Sequence, residues 1–135
     1  MTLPRCIAGC VLLVFCACGN PIPEVPEDET VSFGRHLEPL VIAHCLGCHT
    51  AEEPKAKLVL EQGEGYANLV ERQSIQVPEM ALVAPGDPDA SYLWLKLHHV
   101  TETGKGMPRT PTGAKKLRQA ELDLYRRWIE DGAQP

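Results

Sequence analysis

The stretch Cys45-Leu46-Gly47-Cys48-His49 places two thiols two residues apart with a histidine directly after the second. At this spacing each thiol can form a thioether to one of the two vinyl groups of a single porphyrin. The adjacent imidazole is then carried under the iron as an axial ligand. The stretch therefore predicts one covalently attached haem c, with Cys45 and Cys48 as the thioether residues and His49 as the proximal iron ligand.

Other uses of a C-x-x-C pair need surroundings that this chain offers poorly. A thioredoxin-like redox pair needs a βαβ context, which a chain of 135 residues with this pattern does not show. A structural zinc site needs four ligands, and the later histidines, His98 and His99, are adjacent rather than three to five residues apart. Haem attachment is the leading prediction, and an accidental match or a metal or thiol site stays the alternative.

Length and composition agree with a single haem domain. The chain has 135 residues, enough for one domain with a modest core, but only two Phe, three Tyr and two Trp. An apolar macrocycle could therefore supply much of the core that large aromatic side chains usually provide. The net charge of −5 gives no reason to expect a nucleic-acid partner.

The N-terminus predicts export. Met1 to Arg5 carries one positive charge, and the apolar run from Cys6 to Cys18 is too short to span a bilayer but suits the hydrophobic region of a signal peptide. We interpret residues 1–17 as a lipoprotein-type signal peptide, with Cys18 as the mature, lipid-bearing N-terminus. A lipid at Cys10 leaves too little apolar sequence before it. Secretion with Cys18 as a free thiol, or a buried N-terminal helix, stays the alternative.

This interpretation assigns the remaining chain to a tether and one domain. Residues 18–31 alternate prolines with acidic side chains, which favours an extended, solvated linker. Residues 32–135 form the predicted haem domain. Export and a lipid at Cys18 predict the periplasm of a Gram-negative-type bacterium and attachment to a membrane by the lipid rather than by a transmembrane helix.

Apolar periodicity predicts a mostly helical domain. One helix leads into the cysteine motif from Phe33, with Pro39 marking a kink or a late helix start. A second begins near Asp87, where Pro88 suits the first helical position, and a last helix runs from about Leu117 to Asp131. A helical turn or two is expected around residues 66–70, and residues 73–85 are expected to be a loop.

The second axial ligand of the iron must come from farther along the chain. Met107 is the leading candidate for this distal position, because the glycines in Gly104-Lys105-Gly106-Met107-Pro108 let a loop approach the macrocycle and the proline stiffens it. Met80, His98 and His99 are the other candidates.

Taken together, these motifs resemble a class I cytochrome c. The resemblance rests on Cys45 to His49, Gly106-Met107-Pro108 and the last helix with Trp128-Ile129. The middle block from Ala84 to Trp94 is similar to haem domains of bacterial lipoproteins. The resemblance covers residues 32–134 and implies an all-α, cytochrome c-like fold wrapped around one haem c, with His49 and Met107 as axial ligands. The long stretch from Thr50 to Pro85 departs from compact members of this class.

These features predict a one-electron carrier rather than an enzyme, exchanging electrons with a redox protein donor and acceptor. A labile or open sixth position would instead suit a peroxidase or a gas or redox sensor. Basic residues near the methionine loop are candidates for docking a partner: Lys105, Arg109, Lys115, Lys116 and Arg118.

Overall fold

The computed structural model describes residues 22–135. The predicted signal peptide and Cys18 lie outside the described residues, so both stay predictions. Within residues 22–135, no helix has the length and apolar character needed to cross a membrane.

The helical segment before the cysteine motif is built in two parts. A π-helical turn, Phe33–Leu37, begins after Ser32, whose hydroxyl accepts the Arg35 N–H, and it runs directly into helix α1, Glu38–His44. Pro39 lies in the first turn of α1, directly after the π-helical turn. The α-helix therefore starts late, at Glu38, but the helical segment as a whole begins at Phe33 and changes from π- to α-helical geometry just before Pro39.

Three further helices and one small sheet follow. They are α2, Gly65–Leu69; α3, Tyr92–His98; and α4, Gln119–Glu130; short 3₁₀ turns lie at Leu46–Cys48 and Lys55–Lys57. Strand β1, Arg109–Thr110, pairs antiparallel with β2, Gly113–Ala114. The domain is helix-rich, as expected, and the two-stranded sheet is an addition to the predicted all-α architecture.

The start of α3 differs from the prediction at Asp87. The Asp87 side chain accepts the Ala90 N–H at 3.0 Å, and the Ser91 hydroxyl accepts the Ala84 N–H at 2.9 Å and donates to the Asp87 carbonyl at 2.8 Å. These bonds hold residues 84–91 in a turn, so α3 begins only at Tyr92. The Asp-Pro pair at 87–88 starts a turn instead of a helix, a role that both residue types also favour.

The segment from residue 70 to 83 is more ordered than a plain loop. Glu71 N–H donates to the Val83 carbonyl at 3.0 Å, and Ser74 N–H donates to the Met80 carbonyl at 2.9 Å. The two arms of this segment therefore run beside each other and are joined by backbone hydrogen bonds. Because the paired residues are several positions apart, the sequence pattern of either arm does not predict the pairing.

Aromatic packing joins the first helical segment to α4. The Phe33 ring lies 5.4 Å from Trp128 and 5.9 Å from Tyr66, centroid to centroid, and all three belong to the apolar core or pack against it. The chain end closes the same region, because the Gln134 carbonyl accepts the Phe33 N–H at 2.9 Å and the Trp128 indole N–H at 2.8 Å. These contacts place the start of the first helical segment beside α4, and a bond between His44 and Glu121 ties the end of α1 to the same helix.

The described part of the predicted linker is packed against the domain. Ile22 and Val25 contact the apolar core, and Val31 is fully buried. The Arg127 guanidinium on α4 donates to backbone carbonyls along this segment, those of Val25, Pro26, Glu27 and Glu29. Residues 22–31 are therefore held along α4 rather than fully solvated. The composition of the linker could not predict this, because the hydrogen-bond donors belong to Arg127 in the folded domain.

Candidate haem site

A single cavity brings together the four predicted haem-site residues. It has a volume of about 290 Å³, and Cys45, Cys48, His49 and Met107 all line it. Cofactor and ligand pockets occupy roughly 300–1,000 Å³, so the volume of this cavity lies just below that range. Much of its wall is apolar, with Leu58, Leu60, Leu69, Leu82, Leu93 and Leu97 among the lining residues.

His49 is prepared for metal binding by its hydrogen bond and its burial. Its Nδ1 lies 3.0 Å from the Leu58 carbonyl, so Nδ1 carries the proton and Nε2 keeps the free lone pair. Burial lowers the pKa of His49, and this outweighs the opposing effect of backbone hydrogen bonds at Leu58 and Lys55. The imidazole is therefore neutral at neutral pH, which is the form that ligates iron.

The two cysteines are free thiols on the short turn that follows α1. Cys48 N–H donates to the Cys45 carbonyl at 3.0 Å, and His49 N–H donates to the Leu46 carbonyl at 3.1 Å, so the turn holds all three side chains beside the cavity. Burial, followed by the proximity of Cys48, raises the pKa of the Cys45 thiol to about 12. Cys45 is partly buried, whereas Cys48 is exposed.

Met107 is the sixth-ligand candidate that reaches the cavity. Its N–H donates to the Lys96 carbonyl at the end of α3 at 2.8 Å, which carries the loop across the cavity. Met80, His98 and His99 are not among the described residues that line it. His98 instead packs on Trp94, with ring centroids 4.1 Å apart.

Gly106, directly before Met107, packs closely on the end of α3. A Cβ on Gly106 would lie 2.4 Å from His99 Cγ and 2.8 Å from His99 Cα. Gly106 therefore permits a close approach of the methionine loop to α3, and the approach of this loop to the macrocycle stays a prediction. The pattern of small residues was visible in the sequence, but the surface it contacts depends on the tertiary fold.

The stretch from Thr50 to Pro85, which departs from compact class I cytochromes, forms a large part of the cavity wall. Its contribution consists of residues 56–60, Asn68, Leu69, residues 72–76 and Leu82. The apolar run Leu58-Val59-Leu60 was the only local signal for this role, and it is too short to assign from sequence. The Leu60 N–H donates to the His49 carbonyl at 2.8 Å, which fixes this wall to the proximal histidine.

The cavity is positively charged although the chain as a whole is acidic. Its lining includes the cationic side chains Lys57, Arg72, Lys96 and Arg109, and no Asp or Glu from residues 22–135. Haem carries two propionates, and Lys57, Arg72 and Arg109 suit those carboxylates, whereas the Lys96 ammonium is already bound by two backbone carbonyls. The free thiols, the oriented imidazole, the thioether of Met107 and this charge together fit the predicted haem.

His44, immediately before Cys45, is tied to the last helix. Its Nε2 lies 3.0 Å from the Glu121 carboxylate, which also accepts hydrogen bonds from the Arg118 side chain and backbone, each at 2.8 Å. Burial alone would raise the pKa of Glu121, but the bonds from Arg118 and His44 lower it to about 2. His44 is thus a satisfied structural histidine, as is His36, whose Nδ1 accepts the Ser32 N–H.

Among residues 22–135, no group of three or more His, Cys, Asp or Glu side chains is arranged to hold a metal ion.

Comparison with known families gives the class of domain. Residues 45–110 match the family model described as Planctomycete cytochrome C. The match supports a cytochrome c-type domain. It extends from the first haem cysteine to just beyond Met107, so it includes all four residues that line the cavity as candidate haem contacts. No curated protein and no solved structure matches the chain.

Proposed function

We propose that this cytochrome c-type domain is a class I, single-haem electron carrier with His49 and Met107 as axial ligands. The observation that carries the proposal is the shared cavity, which Cys45, Cys48, His49 and Met107 all line. Residues 45–110 match a cytochrome c family, which supports covalent haem c and haem-based electron transfer.

The chain's own residues explain why transfer is favoured over catalysis. His49 and Met107 would hold the haem iron through an imidazole and a thioether, and a haem held in this way would supply one-electron transfer at a raised potential. His49 is fixed by Leu58 and Met107 by its backbone bond to Lys96, so neither ligand has to move far when the charge changes. With both residues in place, no position is left for oxygen or peroxide.

Spectroscopy of Met107→Ala tests this proposal. The wild type, matured with haem, should show a low-spin ferric spectrum with the long-wavelength methionine-to-iron band, and the ferrous form should not react readily with carbon monoxide. Met107→Ala should abolish the band, lower the reduction potential and permit carbon monoxide binding.

Met80→Ala is the matched control, because Met80 is a part-buried methionine outside the cavity lining. This variant should keep the band. A wild type with a high-spin spectrum that responds to peroxide or carbon monoxide would contradict the carrier and support the alternative, a peroxidase or sensor with an open sixth position.

We also propose that the mature protein is a periplasmic lipoprotein anchored at Cys18. The support is the sequence pattern of residues 1–18, together with the need to attach haem c outside the cytoplasm. Mass spectrometry of protein from the native host should find a lipid-modified N-terminal Cys18, and Cys18→Ser should appear in the soluble fraction. An unmodified Cys18 on a soluble protein would show ordinary secretion instead.

We further propose that a redox partner docks on the basic residues near the methionine loop. Lys105, Lys115 and Lys116 are exposed, while Arg109 is half-buried at the cavity. Electron-transfer rates to a negatively charged partner should fall as ionic strength rises. Rates that stay flat with salt would remove the electrostatic docking surface.

A further inference from the structure

A buried lysine on α3 forms hydrogen bonds to the loop that carries Met107. The Lys96 side chain on α3 is 6% exposed, and its Nζ donates to the carbonyls of Thr103 at 3.3 Å and Lys105 at 3.1 Å. The Lys96 carbonyl accepts the Met107 N–H at 2.8 Å. Both ends of one residue therefore bind the methionine loop.

The charge of Lys96 has no acidic partner among residues 22–135. The ion pairs found there involve other residues, and the Lys96 ammonium is instead neutralised by the two carbonyls and by the Tyr92 ring, 4.7 Å from Nζ. The Tyr92 hydroxyl also donates to the Thr103 carbonyl, at 2.6 Å. Burying a cation without a carboxylate is costly, and here the two carbonyls and the Tyr92 ring offset that cost.

The loop lies against this lysine with no space to spare. Gly104 has φ of +74°, and a Cβ there would lie 2.5 Å from Lys96 Nζ. The carbonyls of Thr103 and Lys105, on either side of Gly104, both point at the Lys96 ammonium. The close fit at Gly104 therefore depends on where the ammonium lies. The bonds therefore determine the path of the loop just before Met107.

We propose that Lys96 is the positioning residue that holds Met107 at the haem iron and so controls whether the sixth position stays closed. The inference rests on the proposed ligation by Met107. Without the ammonium, the carbonyls of Thr103 and Lys105 lose a charged donor inside the protein, and the loop opens more readily although the helices remain packed. The consequence is a methionine that leaves the iron before the domain unfolds.

Two variants and a matched control test this role in the haem-loaded protein. Lys96→Leu removes both hydrogen bonds from the ammonium without adding a ligand for iron. Lys96→Gln places an uncharged amide donor near the position of the ammonium. Glu102→Gln is the control, because the Glu102 side chain is exposed in the same loop. Two quantities are measured: the guanidinium midpoint of the long-wavelength band against that of the far-ultraviolet circular dichroism, and the rate of carbon monoxide binding to the ferrous form.

In the wild type and in Glu102→Gln the two midpoints should coincide. In Lys96→Leu the band should disappear at lower guanidinium than the helices, and carbon monoxide should bind about 10- to 100-fold faster, since losing a hydrogen bond to a charged group changes an equilibrium by roughly tenfold or more. Lys96→Gln should fall between the two, and it carries the test alone where the leucine variant does not mature.

Coincident midpoints with carbon monoxide rates within about twofold of the wild type in the Lys96 variants would overturn the inference. A wild type that lacks the band is a separate result, because it removes ligation by Met107 and with it the proposed function. The spectrum of the unmodified protein therefore tells the two failures apart.

Discussion

At the scale of single residues, the residues of the haem motif can be recognised in the sequence, but the buried charged residues Lys96 and Glu121 cannot. Cys45, Cys48 and His49 are recognisable from their spacing alone, because thioether attachment and axial ligation are local chemistry. Lys96 and Glu121 are not, since a lysine or a glutamate on a helix is usually a solvated side chain. Both are buried here, and each contributes through partners that are distant in the sequence or lie across a loop.

Glu121 makes the stability of the domain depend on pH. Its pKa in the folded protein, about 2, is below the usual value of 4.5, so the folded state is favoured by the ionised carboxylate. This contribution is fully present above about pH 4.5 and is lost as the pH falls towards 2. In urea unfolding of the haem-loaded protein, Glu121→Gln should cost about 2–4 kcal/mol at pH 7, and its difference from the wild type should shrink below pH 4.

Glu130→Gln is the control for this prediction, because Glu130 lies on the same helix but is exposed and bonds only to Arg126. Its loss should cost less than about 1 kcal/mol. A Glu121→Gln effect that is equally small, or that does not change with pH, would contradict the role assigned to the buried carboxylate.

At the scale of elements, periodicity predicted the helices better than their ends. The turn around residues 66–70 and the last helix are confirmed within a few residues. The predicted start of α3 was wrong because an Asp-Pro pair suits a turn as well as a helix cap. The hydrogen bonds of Ser91 to residues 84 and 87 stabilise the turn here. The pairing along residues 70–83 has no local signal at all.

Gly65 shows how tightly α2 is packed. A Cβ at this position would lie 2.9 Å from the Phe33 ring, which is itself held between Trp128 and Tyr66. Gly65→Ala should therefore lower the free energy of unfolding by about 1–3 kcal/mol, in spite of the better helix propensity of alanine. Chemical denaturation measures this loss, and Gly34→Ala is the control, because nothing lies within 4 Å of the added Cβ. Equal stability of the two variants would show that the Phe33 ring can move.

At the scale of the whole molecule, the described residues form one helical domain with its N-terminal approach held along α4. Arg127 binds this approach through backbone carbonyls, so the contact depends on the path of residues 25–29 and not on their side chains. The tether between the proposed lipid and the domain is correspondingly shorter than its residue count suggests.

Limited proteolysis with a glutamate-specific enzyme tests this arrangement. Arg127→Ala should increase cleavage after Glu24, Glu27 or Glu29 by about tenfold or more, because several hydrogen bonds from a charged donor are lost. The haem spectrum should not change. Arg126→Ala is the control, since the neighbouring Arg126 points to Glu130 instead. Equal cleavage of the wild type and Arg127→Ala would show that Arg127 does not hold the segment.

The sequence by itself predicted the haem attachment residues and Met107 as the sixth ligand, and it determined the helix-rich character of the domain. These follow from short-range spacing, periodicity and loop composition, which are properties of neighbouring residues. Only the tertiary structure brought Met107 and His49 to one cavity, built its wall from residues 56–76 and buried Lys96 beneath the methionine loop. Those features depend on which distant surfaces pack together, because a side chain's partner across the fold leaves no periodic trace in its own stretch of sequence.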